Sequence, residues 1–268
     1  MLKDITLGQY FPGNSFLHRM DARVKLLLIL VYIVILFTIK SIAVYALFTL
    51  FTAVVIMFSQ IPLITIAKSV RPMMFFIVFT AIINIFMTPG DVVLVSYGII
   101  TITADGIVLA AKMVLRFLFL IIGTSMLTFT TEPLALTDSI ERLLSPFRKI
   151  GVPAHELAMM MSIAIRFIPT LLEETEKIMK AQMARGADFE SGNILKRSKA
   201  LIPILVPLFI SAFRRADDLA TAMECRCYRG GDNRTRMKQL KMTVVDLKAG
   251  IAMTVFTALV IVGNILTK

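Results

Sequence analysis

The sequence predicts an all-α, polytopic membrane protein with about five transmembrane helices and a cytoplasmic module of about three helices, two of them long. Three observations predict it. The 268 residues are 57% hydrophobic with a mean hydropathy of +0.81, whereas nearly half of an ordinary globular chain is polar or charged. Five apolar stretches approach the ~20 residues that a helix needs to cross the hydrocarbon layer. Charge, finally, is concentrated: residues 131–243 hold 18 of the 29 Lys and Arg and 13 of the 18 Asp and Glu. This composition excludes disorder, which needs low hydrophobicity. It also excludes a disulfide scaffold, because the only two cysteines, Cys225 and Cys227, are too close together to staple a fold.

Before the first span, Met1 to Lys25 carries Lys3, Asp4, Arg19, Asp21 and Arg23 without an apolar core, so a cleaved signal peptide is not expected. The spans are Val24–Ile39, Ile42–Phe58, Pro72–Met87, Gly106–Phe129 and Val244–Leu266. The first and third are short, so tilt or flanking residues must complete the crossing. Sidedness follows from the basic residues. Lys3, Arg19, Arg23 and Lys25 precede the first span and Lys68 and Arg71 lie between the second and third, whereas Thr88–Asp105 has no Lys or Arg. The N-terminus is therefore expected in the cytoplasm, Thr88–Asp105 outside, and the C-terminus, with its lone Lys268, outside as well.

Residues 1–130 thus read as a membrane domain of four spans, 131–243 as a cytoplasmic module and 244–268 as the last span. In the module, Glu132–Lys149 begins behind Thr131 as N-cap and stops before Gly151-Val152-Pro153. Pro153–Arg185 is a long amphipathic run closed by Gly186. After a polar turn at Asp188–Asn193, Ile194–Tyr228 forms a second, closed by Gly230-Gly231, and Pro203 and Pro207 are expected to bend or break it near its start. On the first long helix, Leu157, Met160, Ala164, Phe167, Ile168, Leu171 and Ile178 fall on one stripe. Its first half is expected at the inner membrane face; its second half, with Glu173, Glu174, Glu176, Lys177 and Lys180, projects into the cytoplasm. A competing reading makes Met160–Leu172 a sixth span, against which Arg166 and Pro169 weigh.

Absences narrow the function. An ion-coupled carrier uses ionisable groups within the membrane, and the five spans have no interior Asp, Glu or His. Lys112 and Arg116 share one face of the fourth span, read as a snorkelling lysine and an arginine packed against backbone carbonyls, and Asn84 is the notable neutral polar group of the third. No Gly-x-x-x-x-Gly-Lys-Ser/Thr motif is present to cradle nucleotide phosphates. His18 and His155 are far apart, and Cys225-Arg226-Cys227 supplies two thiolates with no His nearby, a poor metal set. The remaining shape is a membrane base with two presented helices and no energy source of its own.

Both long helices end alike, at Ala184-Arg185-Gly186 and Cys225-Arg226-Cys227. A cation at a helix C-terminus is favoured by the helix dipole by about 0.3–1 kcal/mol, which explains an arginine there as a cap. Small flanking residues at both ends also let another protein approach while the guanidinium fork takes carboxylates or carbonyls. These two tripeptides, with Arg166-Phe167-Ile168-Pro169, the run Arg214 to Ala220, Ala222-Met223-Glu224, Arg234-Thr235, Asp21 to Lys25 and Thr88-Pro89-Gly90, resemble the transmembrane T component of energy-coupling factor ABC transporters, of the CbiQ-like family. One departure is visible: the second tip has Cys on both sides of the Arg, where the family often has Ala or Ser before it and Gly after it.

The resemblance implies two cytoplasmic ABC-type ATPase subunits docking at Ala184, Arg185, Gly186 and at Cys225, Arg226, Cys227. It further implies a substrate-binding membrane S component for vitamin uptake, and a bacterial cell membrane. ATP and Mg then belong to the partners, this chain binds no cofactor or metal and catalyses nothing, and nucleic acid is not a partner. Met159, Met160, Met161, Met179 and Met183 are candidate contacts for the S component, since flexible thioethers suit a surface that slides or accepts several partners. Two other classes stay open: an intramembrane enzyme holding a lipid phosphate on Arg166, Arg214 and Arg215, and a self-contained carrier.

Overall fold

The computed structural model of the chain describes residues 10–39, 41–89, 92–97, 100–189, 193–230 and 242–266. Lys3, Asp4, Gly90, Gly231, Arg234, Thr235 and Lys268, used above, lie outside them. The chain divides into two compact units within its sixth helix: one from Gln9–Ser139 with Gln239–Lys268, the other from Ile140–Lys238.

In the first unit, α1 (Ala22–Thr38) starts behind Asp21, whose carboxylate accepts the Arg23 N–H at 2.9 Å. α2 (Ile42–Ser59) stops at Gln60, which takes a left-handed φ of +57°. The third span is longer than the sequence suggests. α3 (Leu63–Val70) runs through a single 3₁₀ turn at Arg71–Met73 into α4 (Met74–Met87). Pro72 does not begin the helix: lacking an N–H and crowding the carbonyl four residues back, it tightens one turn. Lys68 and Arg71 therefore lie on the helical run and not in a loop.

Thr88–Asp105, expected as a loop, contains an antiparallel hairpin of β1 (Val93–Tyr97) and β2 (Ile100–Thr103), with Tyr97 paired to Ile100. The Thr103 hydroxyl then caps α5 (Ala104–Thr130) by accepting the Gly106 N–H at 3.1 Å. The last helix of the unit is α9 (Val244–Leu266).

Phe48 sits at the centre of the core, its ring centroid 4.7, 5.2 and 5.4 Å from those of Tyr32, Phe119 and Phe256. Leu36, Tyr45 and Val260 close the same cluster, joining α1, α2, α5 and α9. Lipid tails are as apolar as these side chains, so the helices are held by close packing and not by expulsion of water. Gly123 shows how close: a Cβ there would stand 2.5 Å from Tyr32 Cε1.

Polar contacts fix which helix ends share a level. At one end Asn264 Nδ2 donates to Thr38 O at 3.2 Å, and the Arg116 guanidinium donates to Ile39 O at 3.4 Å, a carbonyl partner of the kind expected for it. At the other end Lys25 Nζ donates to Thr130 O at 2.7 Å and the Asp21 N–H to Asp246 Oδ1 at 2.7 Å. The end of α5 and the start of α9 are thus together at one end of this unit.

Among the described residues, five helical runs are long and apolar enough to cross a membrane: Ile42–Ser59, Leu63–Met87, Ala104–Thr130, Ala154–Ala184 and Val244–Leu266. The number agrees with the sequence reading; the membership differs. α1 has 17 residues, about 26 Å of helix against a ~30 Å layer. In its place stands α7 (Ala154–Ala184), which the sequence assigns to the module, with Met160–Leu172 as a competing sixth span.

α6 (Pro133–Leu144), within which the units divide, passes through a 3₁₀ turn at Ser145–Ile150 to Gly151, whose φ is +91°. α7 and α8 (Ile194–Cys225) then pack against each other. Pro203 and Pro207 do not break α8. The carbonyl that Pro207 leaves without its helical donor is that of Pro203, and Gln182 Nε2 of α7 donates to it at 3.3 Å.

Candidate functional site

The two helix ends singled out by sequence share one backbone geometry. At the first, Ala187 N–H donates to Gln182 O and Gly186 N–H to Met183 O, both at 3.0 Å, with Gly186 at φ +88°. At the second, Tyr228 N–H donates to Met223 O at 3.0 Å and Cys227 N–H to Glu224 O at 2.8 Å, with Cys227 at φ +55°. Both are Schellman caps, in which a left-handed residue lets two backbone N–H groups turn back onto the last helical carbonyls. Arg185 and Arg226 occupy the same cap position, one residue before the left-handed one, and both are exposed. The second tip thus keeps the geometry of the first without its glycine. A side chain in this region costs about 1–2 kcal/mol through its Cβ against the following carbonyl, so Cys227 is held there by the cap bonds.

The helices carrying these ends are antiparallel. Gln182 meets Pro203, and eight residues earlier on α7 Glu174 meets Ser211, eight residues later on α8. The Ser211 hydroxyl donates to Glu174 Oε1 at 2.7 Å, Arg215 pairs with Glu174 Oε2, and Arg215 Nε reaches Ser211 Oγ at 3.5 Å. Ser211 and Arg215 together hold the Glu174 carboxyl below the usual carboxylate range. Arg215 is therefore committed within the module, which removes it from any shared phosphate site with Arg166 and Arg214. Continuing the register brings Arg226 level with Met159, so the arginine ends lie at opposite ends of the pair, roughly 40 Å apart at 1.5 Å per residue.

At the second end a cleft of about 600 Å³ is lined by Arg166, Arg226 and Arg229 together with Met159, Phe167 and Met223. Of the five methionines proposed as contacts, Met160, Met161 and Met183 are exposed, at 54%, 45% and 48%, while Met159 and Met179 are half-buried. The apolar stripe of α7 is likewise open: Leu157 and Ile168 are exposed and none of its members is buried, the buried residues of α7 being Ala154 and Ala158. On α8, Phe209, Ile210 and Phe213 are exposed. Cys225 and Cys227 are free and exposed, and no group of three His, Cys, Asp or Glu able to hold a metal occurs among the described residues.

Sequence reasoning missed a buried polar clasp at the base. Asp246, 4% exposed, accepts from the Asp21 and Thr243 N–H groups, each at 2.7 Å, and from Thr243 Oγ1 at 2.9 Å. Asp21 pairs with Arg23, and Lys25 Nζ reaches both Thr130 O and, at 3.3 Å, Thr131 Oγ1. These residues tie together the start of α1, the end of α5 and the start of α9. An acidic residue in the first turn of the apolar run Val244–Leu266 was the available signal. Asn84, by contrast, is satisfied within its own helix, its Nδ2 donating to Thr80 O at 2.8 Å.

Fold and helix ends together define a class: a multi-pass, all-α membrane protein that presents two antiparallel helices, each finishing on an exposed arginine. Comparison with known proteins agrees. The family described as "Cobalt transport protein" matches residues 13–237. The energy-coupling factor transporter transmembrane protein EcfT of Thermosediminibacter oceani is 56% identical over 267 residues, covering 100% of this chain and 99% of the relative. The proteins of the same description from Clostridium kluyveri and Bacillus subtilis are 54% and 44% identical, each alignment covering at least 97% of both chains. The chain belongs to this family, the transmembrane components of energy-coupling factor transporters.

Proposed function

We propose that the chain couples two cytoplasmic ABC-type ATPase subunits to a substrate-binding membrane S component, for vitamin uptake across a bacterial cell membrane. One observation carries this reading: the same Schellman cap, with an exposed arginine at the same position, is built twice at opposite ends of a braced helix pair. Two equivalent ends suit two equivalent partners, each offering a groove of carboxylates or carbonyls to a guanidinium fork. ATP and Mg are the partners' cofactors. When ATP binding and hydrolysis change the spacing of the two grooves, the ends follow, and the Glu174–Ser211–Arg215 brace makes the helices move as levers. The exposed Met160, Met161 and Met183, with half-buried Met159 and Met179, form the surface that passes this motion to the S component.

Residues 131–243 lie on the cytoplasmic side in this reading, with the N-terminus; the C-terminus is outside. Because the end of α5 and the start of α9 lie together, a crossing by α7 would require a second one. α8 is a poor candidate, since Arg214, Arg215, Asp217 and Asp218 interrupt its apolar run. Arg185→Glu combined with Arg226→Glu tests the docking. Losing one member of an interfacial charged contact costs about 2–5 kcal/mol, about 30-fold or more in Kd per arginine, so co-purification with the ATPase subunits should fall to background. Undiminished co-purification would overturn the assignment.

A further inference from the structure

Between α1, α2, α5 and α9 runs an apolar groove of about 430 Å³, within the ~300–1,000 Å³ range of small-molecule sites. Tyr32, Gly123 and Met126 lie along it, and it opens past Val54 and Phe58, which are 40% and 62% exposed. Among the described residues no Asp or Glu lines it; Lys25 and Lys248 do. Lys25 is in the first turn of α1 and Lys248 near the start of α9, at the end where α5 finishes at Thr130. Tyr32 lies seven residues further along α1, about 10 Å deeper. The groove therefore has cations at an interfacial end and apolar walls descending from it. Lys248 is exposed and has no ion-pair partner among the described residues. Of the carboxylates at this end among the described residues, Asp21 pairs with Arg23, and Asp246 accepts from Thr243 and the Asp21 N–H.

We propose that this groove holds one acyl chain of an anionic phospholipid, whose phosphate is taken by the exposed Lys248, while Lys25 stays bonded to Thr130 O. Basic pockets between transmembrane helices suit anionic head groups, whereas a zwitterionic lipid would bring its own cation toward the Lys248 ammonium. A soluble metabolite fits less well, because the hydroxyls in the groove are already committed: Tyr32 to Phe119 O and Thr52 to Phe48 O. Bound there, the lipid would wedge against the same ends of α1, α5 and α9 that hold the base of the 131–243 segment.

Native mass spectrometry of the full-length chain, released from micelles doped with equal amounts of phosphatidylglycerol and phosphatidylcholine of matched chains, tests this. Phosphatidylglycerol should be retained about fivefold over phosphatidylcholine, the effect of one lysine near the surface. Lys248→Ala should bring the ratio toward one, and Ala252→Phe, filling the groove, should remove both adducts. Equal retention of the two lipids by the unaltered chain, or an unchanged adduct in Ala252→Phe, overturns the proposal, as does an apolar protein segment retained in place of lipid. Should Ala252→Phe fail to fold, a photoactivatable phosphatidylglycerol decides: cross-links to Val54, Phe58 or Met253 support the site, and cross-links confined to other lipid-facing residues refute it.

Discussion

Replacing the left-handed residue of either cap separates backbone geometry from side-chain contact. A Cβ built at Gly186 meets nothing within 4 Å, so the cost of Gly186→Val comes from φ +88° alone. An ordinary side chain in that region costs about 1–2 kcal/mol, a β-branched one more. About 0.4–1 kcal/mol returns because the unfolded chain loses glycine's freedom. The net of about 1 kcal/mol opens the cap about fivefold more often. Cys227→Gly runs the other way, relieving φ +55° at the second end for a net gain of at most about 1 kcal/mol. Amide hydrogen exchange at residues 186–187 and 227–228 reads both directly. Protection should fall about fivefold in Gly186→Val and hold or rise in Cys227→Gly. ATPase binding should weaken in Gly186→Val although Arg185 is intact. Unchanged protection in Gly186→Val, or weakened protection in Cys227→Gly, would refute the shared cap geometry as the device that presents the arginines.

Two further outcomes follow from the base and the topology. Asp246→Asn removes a buried charge that accepts three hydrogen bonds, so it should cost about 1–3 kcal/mol and lower Tm by several degrees in a thermal shift assay, with Thr243→Val costing less. A membrane-impermeant maleimide should label Leu266→Cys, made in a Cys225→Ser, Cys227→Ser background, from outside intact cells. The native Cys225 and Cys227 should label only after permeabilisation.

Much of this molecule is legible in the sequence because its helices are bounded by local chemistry. The ends of α5 and α9 fall within two residues of their expected positions, and Gly186 closes α7 as a left-handed cap should. What the sequence conceals is set by partners distant in the chain. Pro203 and Pro207 read as breakers until Gln182, on another helix, meets the carbonyl that Pro207 orphans. Pro72 reads as a start because nothing local says that Leu63–Val70 will carry a helix up to it. Asp21, Lys25 and Asp246 look like interfacial charges, and become a clasp only when the starts of α1 and α9 meet the end of α5. Cys227 departs from the glycine expected at its position, yet its N–H and that of Tyr228 make the same two cap bonds. The arginines were visible from composition and position; their equivalence was visible only from the hydrogen bonds around them.

Substrate uptake driven by ATP, in vesicles containing this chain with its ATPase and S-component partners, tests the coupling claim most directly. With Arg185→Glu and Arg226→Glu together, uptake should fall to the level seen without ATP. Uptake at the unaltered rate by the doubly reversed chain would contradict the account.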